Sequence, residues 1–145
     1  MANSGSQPSW SLRVVENKYP ALTPVAGYHE TLKNEQSSNN AETFHETLQL
    51  KSEIEAIGHH EVVIESPHHN HCMALNNVSS VEDLVFAWKE RGRELAQDPW
   101  VRHIIYFKNC GGGSGASLVH PHSQIVAMPV VPDLEVRLQK RARDW

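Results

Sequence analysis

The chain is 145 residues long with 39% hydrophobic residues, which suits one domain with a modest core and some irregular segments. Its formal net charge of -4 argues against general nucleic-acid binding, because that binding needs a basic surface. No apolar run predicts a membrane span, the polar N-terminus lacks the features of a secretory signal, and two widely separated cysteines favour a reduced, cytoplasmic protein over a disulfide framework.

The first half of the chain is predicted to supply two strands separated by a long insertion. In chain order it holds a flexible lead (1–9), a strand (10–15), a surface insertion (25–50) with a short helix near 42–50, and a second strand (61–65). Alternation and β-branched residues indicate the strands, whereas the insertion is polar and has few apolar positions. The histidines before the second strand, His59 and His60, are interpreted as turn residues.

The second half predicts the main helix, two more strands and a basic terminal helix. The main helix is expected at 81–97, where the apolar residues with helical spacing are Val81, Leu84, Val85, Trp88 and Leu95. Ser79 and Ser80 ahead of it are typical of a helix N-terminus. Strands follow at 103–107 and 118–127, and a helix at 133–143 fills the terminal segment 133–145. This order predicts an α+β fold, with an antiparallel sheet and one main packed helix.

The residues with the clearest chemical potential lie on the last strand. Since strand side chains alternate between faces, His120, His122 and Gln124 are expected to share one face. The Gly-rich loop 109–117 before them can turn backbone N–H groups toward a phosphate, with Ser114 and Ser117 as further donors. A neutral His122 ring could then attack phosphorus through one nitrogen while the other donates a hydrogen bond. The alternative interpretation is a satisfied polar edge strand, which Pro121 would suit.

These residues carry a resemblance to a known family. His120-Pro121-His122-Ser123-Gln124, preceded by the Gly-rich loop, resembles the active-site motif of the galactose-1-phosphate uridylyltransferase family, within the histidine-triad superfamily. The blocks 12–22 and 60–67 resemble, in the same order, its nucleotide-binding segment and the strand that leads to a zinc-ligand histidine. The resemblance covers residues 10–132 and implies a histidine-triad-like nucleotidyltransferase domain.

The resemblance also implies a role for individual residues. His122 matches the nucleophile, oriented by the carbonyl of His120, and Gln124 matches the glutamine that hydrogen-bonds the bound phosphoryl group. The positions that match nucleotide and phosphate contacts are Asn17, Lys18, Tyr19, Asn109, Gly115, Ala116 and Ser117. His69 and His120 match two of the four ligands to a structural zinc, although the segment 68–72 also fits a solvated loop.

The family pattern contains further parts that these 145 residues lack. The other two zinc ligands come from a Cys-x-x-Cys pair upstream of the first block, and a second related domain follows the first. We therefore expect an incomplete zinc site, in a fragment, a truncated gene product or a degenerate paralogue. The expected partners are a nucleotide sugar, a sugar 1-phosphate and a second copy in a homodimer.

The function implied by the resemblance is that of a UDP-glucose–hexose-1-phosphate uridylyltransferase of galactose metabolism, acting through a covalent nucleotidyl-histidine. An ADP-sugar phosphorylase is an alternative that matches the same motifs. A histidine-triad hydrolase is a second alternative, against which Gln124 speaks, because hydrolytic members carry a third histidine there. A third is an inactive nucleotide-binding module.

Overall fold

The computed structural model describes residues 9–24, 56–69, 72–114 and 118–145. Residues 1–8 of the predicted lead (1–9), the predicted insertion at 25–50 with its expected helix near 42–50, and the loop residues Gly115, Ala116 and Ser117 lie outside these ranges. The described elements are β1 (Arg13–Glu16), β2 (His59–Ile64), α1 (Val78–Leu95), β3 (His103–Phe107), β4 (His122–Met128) and α2 (Asp133–Arg143), with short 3-10 turns at Met73–Leu75 and Gly112–Ser114.

The four strands form one antiparallel sheet in the order β1-β2-β4-β3. Ile64 of β2 lies opposite His122 of β4, and Phe107 of β3 lies opposite Gln124. The strand β4 is therefore internal, and the edge-strand alternative is wrong. Together with the helices, the sheet confirms the predicted α+β fold.

The helix α1 packs on one face of the sheet through a small apolar core. Its residues Leu84 and Leu95 are buried with Val63 of β2 and with Ile125 and Ala127 of β4. Because strand residues alternate, this face also receives Ser123, whose Oγ accepts a 3.0 Å hydrogen bond from Trp88 Nε1. His122 and Gln124 consequently belong to the opposite face, away from the helix.

Two details of α1 differ from the prediction. The helix begins at Val78, because Asn77 acts as N-cap: its Oδ1 accepts a 2.8 Å hydrogen bond from the backbone N–H of Ser80. The expected N-terminus at Ser79 and Ser80 is thus wrong by about one turn. Val85, predicted on the packed face, is 51% exposed.

Polar groups on the helix-covered face of β2 are paired rather than isolated. The side chain of Glu61 accepts hydrogen bonds from Arg91 of α1, including one of 2.9 Å from Nε. The hydrogen bond to Glu61 is the main reason that the pKa of Arg91 is raised. The ion pair between Glu61 and Arg91 connects α1 to the sheet beside the apolar core.

The predicted terminal helix is present as α2 and buries none of its residues. Three of its four basic residues lie in the last turn, where they interact favourably with the helix dipole: Lys140, Arg141 and Arg143. Among the described residues, no helix combines the length and apolar character needed to cross a lipid bilayer.

Candidate active site

His122 is the first residue of β4 and lines a pocket of about 330 Å³. Its Nδ1 donates a 2.7 Å hydrogen bond to the carbonyl oxygen of His120, since a carbonyl can only accept. In the neutral ring the remaining nitrogen, Nε2, then carries the lone pair. The residue as a whole is 8% exposed. His122 therefore combines a fixed tautomer with a lone-pair nitrogen in a residue that lines the cavity.

The pocket in front of His122 is formed by Cys72, the loop between β3 and β4, and the first residue of β4. Its lining residues are Cys72, Lys108, Asn109, Cys110, Gly111, Leu118, Val119, His120, Pro121 and His122. Asn109 and His122, both expected at the site, are thus brought together. Leu118 and Val119, expected in a strand, instead precede it as exposed residues, and β4 begins only after Pro121. Pro121 has no N–H to donate, so its backbone hydrogen bond is made by its carbonyl oxygen, which accepts from the N–H of Glu65 at 3.2 Å.

Gln124 and Asn17 meet on the same side of the sheet, together with a histidine that the sequence did not single out. His60 Nε2 lies 2.7 Å from Gln124 Oε1, and Asn17 Nδ2 lies 3.4 Å from the same oxygen. The interpretation of His59 and His60 as turn residues is wrong, because both belong to β2. The sequence does contain a signal for the position of His60. Side chains of a strand alternate between faces, so His60, Val62 and Ile64 share one face of β2.

Lys18 and Tyr19 are arranged differently from Asn17. Tyr19 is 79% exposed, and Lys18 Nζ lies 5.4 Å from the centre of its ring. The only hydrogen bond that links this pair to the site residues of the described chain is a 2.9 Å contact from the Tyr19 N–H to Asn17 Oδ1. The two side chains therefore form an exposed cation–π pair beside Asn17.

His69 and His120 form a histidine pair beside the pocket, which His120 lines. Their Nδ1 atoms are 3.1 Å apart, and their rings pack edge to face with centroids 4.6 Å apart. His120 Nε2 donates a 2.7 Å hydrogen bond to the Ser66 carbonyl, which leaves Nδ1 as the lone-pair nitrogen in the neutral ring. His120 precedes β4 and turns toward His69, so the prediction that it shares one strand face with His122 and Gln124 is wrong.

The two Nδ1 atoms fit two corners of a tetrahedral zinc site. Nitrogens bound at about 2.0–2.1 Å to one tetrahedral zinc lie about 3.4 Å apart, close to the observed separation. Within residues 9–24, 56–69, 72–114 and 118–145, no group of three or more His, Cys, Asp or Glu side chains could hold a metal. The described residues thus supply at most two of the four ligands that a structural zinc needs, and the same Nδ1–Nδ1 distance also fits a hydrogen bond between the two rings.

A buried ion pair supports the start of β4 from the helix-covered side. Glu65, whose side chain is 2% exposed, accepts a 2.5 Å hydrogen bond from Lys108 Nζ. Nζ also lies 3.4 Å from the carbonyl oxygen of His122. The pair therefore links the residue after β2 and the residue after β3 to the backbone of His122.

A family model described as galactose-1-phosphate uridyl transferase, N-terminal domain, matches residues 2–132. The chain belongs to this family. ADP-glucose phosphorylase from Arabidopsis thaliana is 38% identical to it over 125 residues, 86% of this chain and 32% of that protein. Galactose-1-phosphate uridylyltransferase from Thermotoga maritima is 40% identical over 79 residues, 54% of this chain and 25% of that protein.

A solved structure of the family has the same fold. The crystal structure of an ADP-glucose phosphorylase from Arabidopsis thaliana with bound ADP-glucose superposes with a TM-score of 0.65 at 36% identity, and covers 90% of this chain and 35% of that one. The chain thus spans about a third of the length of this relative.

Proposed function

We propose that this chain carries out nucleotidyl transfer through a covalent intermediate on His122. The observation that carries the proposal is the hydrogen bond from His122 Nδ1 to the His120 carbonyl, which leaves Nε2 as the lone-pair nitrogen of a ring that lines the pocket. Nε2 attacks the α-phosphorus of a nucleotide sugar, a P–N bond forms, and the P–O bond to the sugar 1-phosphate breaks. A phosphate oxygen of the second substrate then attacks the same phosphorus and releases His122.

The surrounding residues have defined tasks in this scheme. The His120 carbonyl accepts from Nδ1 throughout, so it stabilises the positive charge that the ring gains on attack. The amide of Gln124 donates to the phosphoryl group, Asn109 binds near the phosphates, and Asn17 contacts the nucleoside. Gly115, Ala116 and Ser117 complete the phosphate contacts. Rate enhancement comes from positioning and from donors aimed at developing charge.

For the donor we propose UDP-glucose, with a hexose 1-phosphate as acceptor, in a cytoplasmic homodimer. ADP-glucose is the second candidate, and the similarity to ADP-glucose phosphorylase over 86% of the chain favours it. Zinc, bound through Nδ1 of His69 and His120 with two ligands from outside the described residues, would be structural and would hold the segment around Ser66 against the start of β4.

Labelling of the protein tests the proposal. The chain is incubated with UDP-glucose or ADP-glucose that carries ³²P in the α-phosphate, and the acid-labile label on the protein is measured. The wild type should take up label and release glucose 1-phosphate, and the preferred nucleotide separates the two candidates. His122→Ala should take up none, whereas His103→Ala, which does not line the pocket, should label like the wild type.

The other outcomes have distinct meanings. Steady release of free nucleoside monophosphate would indicate a hydrolase. Bound nucleotide without any label in the wild type would contradict the proposal and favour an inactive nucleotide-binding module.

A further inference from the structure

His60 contacts the glutamine of the site without lining the pocket itself, and it has no role in the scheme above. We propose that His60 is a positioning residue, which fixes the side-chain amide of Gln124 so that its NH₂ group is the part left to donate to the phosphoryl group. The functional half of this inference rests on the proposed nucleotidyl transfer. The structural half, the orientation of the amide, stands on hydrogen bonds alone.

The tautomer of His60 is set by the backbone. The N–H of Ala21 donates a 2.9 Å hydrogen bond to His60 Nδ1. A backbone amide can only donate, so Nδ1 must accept and the ring proton must lie on Nε2. That nitrogen is 2.7 Å from Gln124 Oε1 and therefore donates to it. The glutamine accordingly presents its oxygen, and not its nitrogen, to His60.

A second backbone amide sets the orientation of Asn17 in the same way. The N–H of Tyr19 donates to Asn17 Oδ1 at 2.9 Å, which identifies the other terminal atom of Asn17 as its NH₂ group. This group is 3.4 Å from Gln124 Oε1 and 3.0 Å from His60 Nε2. Since Asn17 Nδ2 and His60 Nε2 both carry hydrogen, the contact between them is not a hydrogen bond, and both donors converge on the glutamine oxygen.

The two donors converge on Gln124 Oε1, which leaves Nε2 as the end of the amide that can still donate. No described residue accepts a hydrogen bond from this nitrogen. If the Gln124 amide were flipped by 180°, its NH₂ group would face the two donors. Its oxygen would then face the anionic phosphoryl group. The shorter of the two contacts comes from His60, so His60 contributes most to excluding the flipped form.

The orientation is tested without any reaction, by NMR of the ¹⁵N-labelled chain. Long-range ¹H–¹⁵N correlation should show the His60 ring with the proton on Nε2 and with Nδ1 unprotonated. The side-chain NH₂ signals of Gln124, assigned by their loss in Gln124→Glu, should move in His60→Leu. A proton on Nδ1, or Gln124 signals unchanged in His60→Leu, would overturn the proposal even if the wild type is active.

The functional consequence is tested with two substitutions at one position. His60→Leu removes both the acceptor for the Ala21 amide and the donor to Gln124 Oε1, whereas glutamine keeps an NH₂ donor at this position. We expect His60→Leu to lower the maximal rate of ³²P labelling by about 10–100-fold, as for loss of a positioning contact, with nucleotide-sugar affinity changed far less. His60→Gln should recover most of that rate.

The matched control is the neighbouring histidine on the opposite face of β2. His59 pairs with Asp98 at 2.7 Å and makes no contact with Gln124, so His59→Leu should label at the wild-type rate. Equal losses in His60→Leu and His60→Gln would show a merely structural role and overturn the inference. An unlabelled wild type with the expected NMR result would contradict nucleotidyl transfer and leave the orientation of Gln124 established.

Discussion

Removing Lys108 should destabilise the protein because it leaves a buried carboxylate without its cation. Glu65 has a side chain that is 2% exposed, and its Oε1 has no hydrogen-bond partner among the described residues. In Lys108→Met its Oε2 loses the 2.5 Å contact as well. Breaking a buried pair from one side costs about 3–5 kcal/mol. Because the Lys108 side chain is 26% exposed and water can reach this end, we expect the lower limit, about 3 kcal/mol.

Neutralising the carboxylate decides whether charge burial is the cause. Glu65→Gln keeps an acceptor for Lys108 and should lower the free energy of unfolding by about 1–2 kcal/mol. The double variant contains no buried charge and should be more stable than Lys108→Met alone. Urea unfolding followed by far-UV circular dichroism measures all three free energies. Additive losses, or a Glu65→Gln variant less stable than Lys108→Met, would refute the reasoning.

Three further predictions concern the helix α1 and its contacts. A Cβ at Gly92 would lie 1.9 Å from Tyr106 Oη, so Gly92→Ala should cost about 1–3 kcal/mol despite the better helix propensity of alanine, and Tyr106→Phe should relieve most of the loss in urea unfolding. Burial raises the pKa of Tyr106 above 10.0, so its contribution to stability is complete below pH 10 and is lost as pH rises through the folded-state pKa. Tyr106→Phe should therefore unfold with a weaker alkaline pH dependence than the wild type; an unchanged dependence would exclude this group. Asn77→Ala should lower stability by about 1 kcal/mol through loss of the bond to the Ser80 amide, whereas an unchanged unfolding midpoint would contradict the cap.

The sequence predicted those parts of the fold that depend on local pattern. The strand β3 was expected at 103–107 and has those limits, because its five residues are all apolar, aromatic or histidine and are followed by polar residues. The start of β4 was placed too early because Leu118 and Val119 are apolar and valine favours strands, while Pro121 delays the strand until His122. Local propensity could not show that constraint.

Contacts between distant segments were harder to predict than the elements themselves. The ring of His60 reaches Gln124 only because β2 pairs with β4 in a register that puts His60 opposite Val126. The pairing of Glu65 with Lys108 likewise joins the ends of two strands that are not neighbours in the sheet. Neither contact follows from a periodic pattern in the sequence. By contrast, the motif around His122 was recognisable because its residues are adjacent in the chain.

The position of the covalent link on His122 tests the central claim most directly. The chain is trapped with its nucleotidyl group at alkaline pH, digested, and the modified peptide is examined by tandem mass spectrometry and ³¹P NMR. Because Nδ1 is held by the His120 carbonyl, we predict a single adduct, on His122 and through Nε2. A link through Nδ1, or a nucleotidyl group on any other residue, would contradict the account.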